Sequence, residues 1–332
     1  MPIPNQEWLA LSEEPALEPA LPICDPHHHL WVHEANPYML PEIGSDLGCG
    51  HNVVSTVFVE CTSGYRSDGP EALRPVGETD FVEALASESA QDPATPAVAA
   101  GIVSYADLTL GAGAREVLEA HQAASDRFRG IRHAASWDPS PQIRNAHTSP
   151  PAELYREERF REGFGALVSL DLTFDAWLYH PQIPDLTDLA RAFPEARIVL
   201  DHVGGPLGIG PYAGQHAAIF PDWKQSITEL ARCENVHVKL GGLVMPVNGF
   251  GWHKQPAPPS SERLCEVLEP YFMHCIEQFG PARCMFESNF PVDKVSCSYS
   301  VLWNAFKRMT TSFSPGERAA LFHDTACGFY RV

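Results

Sequence analysis

The chain has 332 residues, a formal net charge of −19 and nine cysteines. So acidic a chain lacks the basic surface that phosphate backbones require, which excludes a nucleic-acid partner, and no apolar run reaches the roughly 20 residues of a bilayer-spanning helix, which excludes a membrane partner. The cysteines are scattered without a C-x-x-C pair, and the acidic, proline-punctuated stretch from Met1 to Pro19 lacks a secretory pattern, so the expectation is a reducing, cytoplasmic setting without a cysteine zinc site.

Strand-like and helix-like segments then alternate. Strands are expected over 21–29 and 53–61, a helix over 78–90, a strand over 97–105, a helix over 113–125, a strand over 128–134 and a helix over 152–167. The second half repeats the pattern: strand 176–180, helix 184–192, strand 198–201, helix 223–233, strand 236–240, helix 260–279 and strand 283–287, with a closing helical pair over 300–311 and 315–330. Several strands are short apolar runs without polar alternation, as in a parallel sheet covered on both faces. The strand-to-helix connections are long and some helix-to-strand connections are tight. This arrangement predicts a distorted (β/α)8 TIM barrel with its active face at the strand C-termini, spanning residues 21–332 as a single domain behind an N-terminal extension of residues 1–20. An open doubly wound sheet is the alternative, but the first turn is rich in histidine and no G-x-G-x-x-G occurs.

The most informative stretch is Cys24-Asp25-Pro26-His27-His28-His29-Leu30-Trp31 at the end of the first strand. Strand alternation turns His27 and His29 to one side, as half of a metal site or a pair that stabilises an anionic substrate. Other expected strand ends carry His180, Asp201-His202, Glu287-Ser288-Asn289, and Arg129 with Arg132. In a barrel these ends converge on one cavity.

Together these motifs resemble the amidohydrolase-related (amidohydrolase 2) family of metal-dependent hydrolases, which includes lactonases similar to 2-pyrone-4,6-dicarboxylate lactonase and the aminocarboxymuconate-semialdehyde decarboxylase group. The resemblance rests on Asp25-x-His27-x-His29, Gly130-Ile131-Arg132, His180, Leu200-Asp201-His202-x-Gly204, Val238-Lys239-Leu240-x-Gly242-Leu243 and Phe286-x-Ser288-x-Phe290-Pro291. It implies a site built from His27, His29, His180, His202 and the strand-eight residue. The family usually has aspartate after the strand-eight serine, where this chain has Asn289. An amide cannot act as a general base, so Glu287 or His202 is expected to supply it. Glu287 has a plainer reading as a salt bridge to Lys239, and Asp293 is a third carboxylate lying past the strand. Arg132, and more weakly Arg129, is expected to hold a substrate carboxylate, as related lactonases use arginines around strand four. Trp31, Tyr38, Tyr65, Trp137, Tyr179, Trp252 and Phe290 are candidates for an apolar pocket wall.

Two mechanisms follow. In one, His27, His29 and His180 hold a divalent zinc or manganese ion that activates water. In the other there is no metal, and the histidines and Arg132 stabilise the oxyanion while a carboxylate activates water. The expected function is hydrolysis of a small carboxylated lactone, ester or amide. A non-oxidative decarboxylase of an aromatic or unsaturated acid, and a non-catalytic ligand-binding barrel, are the alternatives. A homodimer is the default expectation for such an enzyme.

Overall fold

The computed structural model describes residues 3–92 and 95–332. Eight parallel strands follow one another in chain order around one sheet: β1 (Pro22–His28), β2 (Asn52–Val59), β3 (Ala97–Ser104), β4 (Phe128–Arg132), β5 (Thr173–Ala176), β6 (Arg197–Leu200), β7 (Val236–Leu240) and β8 (Cys284–Phe286). The edges meet just past β8, where the Asn289 N–H donates to the His27 carbonyl at 2.9 Å and the His29 N–H to the Phe290 carbonyl at 2.8 Å. These bonds close the sheet into a (β/α)8 barrel.

A short turn, α1 (Gln6–Leu9), precedes the barrel. The outer helices are α2 (Leu40–Leu47), α3 (Val76–Ser89), α4 (Ala114–Ala124), α5 (Glu158–Ser169), α6 (Ile183–Ala192), α7 (His216–Leu230), α8 (Ser261–Phe279) and α9 (Tyr299–Met309). Then come α10 (Pro315–Ala319), a π turn (Ala320–Asp324) and α11 (Thr325–Tyr330). Serine caps set several of these starts: the side chains of Ser260 and Ser298 accept from the backbone N–H groups of Arg263 and Val301. Among the described residues, no helix is long and apolar enough to cross a membrane.

Apolar side chains fill two layers. Between strands and helices lie stacked aromatics such as Phe286 on Phe306, with ring centres 4.6 Å apart. Inside the barrel, Cys24, Val57, Val59, Val103, Val199 and Met285 form a second cluster, closed from below by Ala326, Phe329 and Tyr330 of α11. Two residues further along their strands, the same inward face turns polar: Val199 gives way to Asp201 and Met285 to Glu287, joined by Arg132, Asp175 and Lys239. The barrel is thus apolar and plugged at one end and charged at the other. The N-terminal segment straps the outside, with Lys307 Nζ donating to the Leu17 and Glu18 carbonyls at 2.7 and 3.0 Å, and Glu14 accepting from the Ser261 N–H at 2.7 Å.

Three expectations need correction. The fifth strand is Thr173–Ala176, not 176–180. Its Asp175, a charge inside the strand, is paired by Lys239 at 2.6 Å, whereas the aromatic run that follows belongs to a loop. Proline at 181 then opens a 3-10 turn, so His180 is not a strand-end residue. The loop after β1 contains α2, which the sequence reading left unassigned. The last expected helix is interrupted by the π turn.

Candidate active site

Seven of the eight strands, all but β3, contribute a residue at or just past their C-terminal ends to one buried cluster. His202 follows β6 with φ at 54°, in the left-handed region that side chains rarely adopt. Its Nδ1 lies 2.6 Å from Glu287 Oε1, and the same oxygen accepts the His202 backbone N–H at 3.2 Å. The loop after β7 makes room for this pair. A Cβ on Gly241 would sit 2.3 Å from Glu287 Cγ, and one on Gly242 would sit 2.2 Å from His202 Nδ1. The two glycines therefore let the backbone pass directly against the His202–Glu287 pair.

His27 stands beside them, its ring centre 4.5 Å from that of His202. Glu287 Oε2 lies 2.8 Å from His27 Nδ1, and Lys239 Nζ lies 3.1 Å from the same nitrogen. Burial, then the charges of Lys239 and neighbouring histidines, hold His27 well below the ordinary histidine range. His29 bonds through Nδ1 to the Val59 carbonyl at 2.8 Å, so Nδ1 carries the proton and Nε2 is left as an acceptor. Burial and Arg132 push His29 down as well, keeping it neutral.

Four carboxylates and two fixed cations surround these rings. Lys239, wholly buried, sits 2.6 Å from Asp175 Oδ2 and 3.1 Å from Asp201 Oδ1. Burial opposes its charge, but Asp175, Asp201 and Glu287 outweigh it and raise the lysine above its usual value. Burial, partly offset by Lys239, lifts Asp175 to about 6; the Tyr330 hydroxyl of α11 donates to it at 2.7 Å. Burial works against the charge of Asp201 too, yet Lys239, His202 and Arg132 hold that carboxyl below its usual value. Arg132 donates from Nε to Glu60 Oε1 at 2.8 Å and from Nη2 to the Glu60 carbonyl at 2.7 Å, with Asp201 3.6 Å from its Nη1.

Above the cluster opens a cavity of about 440 Å³, lined by His29, Glu60, Arg132, His202 and Asn289 with Trp177 and Tyr179 on its apolar wall. Asn289 donates from Nδ2 to Asp293 Oδ1 at 3.0 Å. Burial drives Asp293 far above the ordinary carboxyl range, and its position four residues past Asn289 keeps it behind the amide.

His27, His29, Arg132, His202, Glu287 and Asn289 thus come together. Two expected residues do not. His180 accepts the Leu207 N–H on Nδ1 at 3.2 Å and packs on Tyr212, away from His27 and His202. Arg129 has the opposite strand parity and donates to the Asp126 and Phe128 carbonyls at 2.6 and 3.1 Å, outside the cavity. The fork of Arg132 is engaged by Glu60, so it is not free to grip a substrate carboxylate in two-pronged fashion. Glu287 pairs with the two histidines; the lysine's ion pairs go to Asp175 and Asp201 instead. Of the aromatic candidates, only Tyr179 lines the cavity. Glu60, Asp175 and Asp201 were given no role by the sequence reading, although each is a charge closing or interrupting an apolar strand run.

The metal question rests on a different donor set from the one expected. Among the described residues, His27, Asp201 and His202 place ligand atoms within 4.8 Å of one another. Both Asp201 oxygens are buried, with Lys239 Nζ 3.1 Å from Oδ1 and Arg132 Nη1 3.6 Å from Oδ2. Two imidazoles and a carboxylate fit a divalent cation of the zinc type, which would share Asp201 with Lys239.

A closed barrel with imidazoles and carboxylates gathered at the C-terminal ends of its strands has the design of a barrel enzyme. The chain belongs to the amidohydrolase family, which it matches over residues 24–332. It is 33% identical over 324 residues to the uncharacterised protein y4mH of Sinorhizobium fredii (strain NBRC 101917 / NGR234), covering 93% of this chain and 98% of that one. It is 27% identical over 283 residues to an L-fucono-1,5-lactonase of Burkholderia ambifaria, covering 81% and 87% respectively. In fold it is similar to a crystal structure of an amidohydrolase from Burkholderia multivorans with bound zinc, with a TM-score of 0.71 and 23% identity over 93% of this chain and 99% of that one.

Proposed function

We propose that this chain hydrolyses a small lactone, with His202 as the general base and Glu287 as the residue that orients and charges it. The observation that carries the reading is the 2.6 Å contact from His202 Nδ1 to Glu287 at the floor of the cavity. It fixes the proton on Nδ1 and leaves Nε2 with a free lone pair. The similarity to L-fucono-1,5-lactonases of two Burkholderia species supports a lactone of a sugar acid as the substrate class.

His202 Nε2 takes a proton from water as the water oxygen attacks the lactone carbonyl. Glu287 balances the imidazolium charge that develops. When the ring C–O bond breaks, the imidazolium returns the proton to the leaving alkoxide. His29, neutral and acceptor-only at Nε2, receives a hydrogen bond from a substrate hydroxyl. Arg132 turns its positive edge toward the oxyanion while Glu60 holds it in place. The exposed Arg144 on the cavity wall supplies a guanidinium for an anionic substituent, in the place the sequence reading gave to Arg132. A divalent ion, if held by His27, Asp201 and His202, would occupy the same His202 lone pair and so stand in for the free base, supplying Lewis-acid polarisation of the carbonyl and a more acidic water.

The test is a panel of 1,4- and 1,5-lactones of sugar acids, followed by acid release in a lightly buffered indicator solution above the spontaneous rate. Wild type should hydrolyse at least one 1,5-lactone, and His202→Ala should fall to background while keeping its melting temperature. No acid release from any lactone would overturn the reading. Release of carbon dioxide from an aromatic acid would put a decarboxylase in its place.

A further inference from the structure

The plugged end of the barrel holds a second group of reactive side chains that lactone chemistry does not use. Cys24 on β1 is wholly buried, and the half-buried Cys327 of α11 packs against the same inner cluster. Cys327 packs against the cluster to which Cys24 belongs, and each thiol perturbs the ionisation of the other. Cys327 Sγ lies 3.5 Å from His323 Nε2, and His323 Nδ1 lies 2.8 Å from Asp324 Oδ1. His323 and Asp324 belong to the π turn, whose wider winding recurs at functional sites. A thiol, an imidazole and a carboxylate therefore follow one another on one helical segment, with a second thiol behind the first. The neighbouring Cys24 thiol draws Cys327 down to about 6 against the opposing effect of burial, helped by His323, while Cys24 is driven far up. One thiol is thus reachable and nucleophilic, and its partner is enclosed and protonated.

We propose that Cys327 and Cys24 form a peroxide-responsive thiol pair that closes to a disulfide between α11 and β1. The Cys327 thiolate attacks one oxygen of hydrogen peroxide; the O–O bond breaks, giving a sulfenic acid on Cys327 and hydroxide. The Cys24 sulfur then attacks the Cys327 sulfur. An S–S bond forms, the S–O bond breaks, and the departing hydroxide takes the Cys24 proton as water. The sum is two thiols and one peroxide giving one disulfide and two waters. A small dithiol reverses it. The bond would tie the plug that carries Tyr330, and hence the hydrogen bond to Asp175, to the strand that carries His27.

The full chain is treated with about a tenfold excess of hydrogen peroxide, and its intact mass is compared with a non-reducing peptide map. The expected result is a loss of about 2 Da, a cross-link joining the Cys24 and Cys327 peptides, and reversal by dithiothreitol. In Cys24→Ala, which removes the second thiol, dimedone should label Cys327 roughly tenfold more than any other cysteine after the same treatment. A map with both thiols free, with Cys327 paired to another cysteine, or with Cys327 carried to sulfinate while Cys24 stays reduced, would overturn the proposal. Should Cys24→Ala not fold, the wild-type map decides alone.

Discussion

Replacing Glu287 by glutamine is the sharpest test of how the site works. The amide keeps the shape and an acceptor for His202 but removes the charge. With charge centres about 4 Å apart and an effective dielectric near 20, the carboxylate stabilises an imidazolium by about 4 kcal/mol. That interaction exists only when His202 has taken the proton, so its loss falls on the barrier. At about 1.4 kcal/mol per decade, kcat/KM for lactone hydrolysis should fall about a thousandfold, with kcat carrying most of the loss. Folding should survive. Glu60, Asp175, Asp201 and Glu287 face only the fixed cations Arg132 and Lys239, so removing one negative charge relieves an excess. The assay pairs initial rates of acid release with a thermal melt of the same preparation. A Glu287→Gln protein that keeps its melting temperature and works within tenfold of wild type would refute the claim that His202 is a base charged by Glu287.

Lys239→Met should leave Asp175 and Asp201 buried without their ammonium; a loss of roughly 3–5 kcal/mol is expected. An unfolding entropy of about 0.7 kcal/mol/K for a chain of this length turns this into a drop of about 4–7 °C in Tm, read by calorimetry. Glu78 is raised to about 8 by burial and by the neighbouring Glu60, so between about pH 4.5 and 8 the folded chain holds a proton that the unfolded chain releases, and stability falls as pH rises through that window. Glu78→Gln keeps an acceptor for the Cys61 and Ser63 N–H groups, and denaturant melts across pH should show a flatter profile; an unchanged slope would remove Glu78 as its cause. Zinc at about a hundredfold over its Kd should raise the Tm of metal-stripped wild type by about 4 °C, and Asp201→Asn should abolish most of that rise. An equal rise in both proteins would count against Asp201 as a ligand.

The sequence by itself determined the architecture. Apolar runs of strand length alternating with helical segments have few ways to bury both faces of a parallel sheet, and long connections at one end marked where a site would lie. It also determined the imidazoles of β1 and the Asp201-His202 pair, because a polar residue ending an apolar strand is conspicuous in one dimension. Only the tertiary structure decided which charges meet. Asp175 fell just before the expected strand and proved to be an inward-facing member of it, since Lys239, 64 positions away, lies 2.6 Å from it. The expected fifth strand ends at 180, four residues beyond the observed end at Ala176, and that shift takes His180 off the strand and out of the cavity. Arg132 lines the cavity yet is not free, because Glu60 from a strand far off in sequence occupies its fork. Strand parity and apolar pattern are local properties that a linear reading captures. Partner choice among buried charges depends on barrel register and distances across the interior, which exist only once the ring has closed.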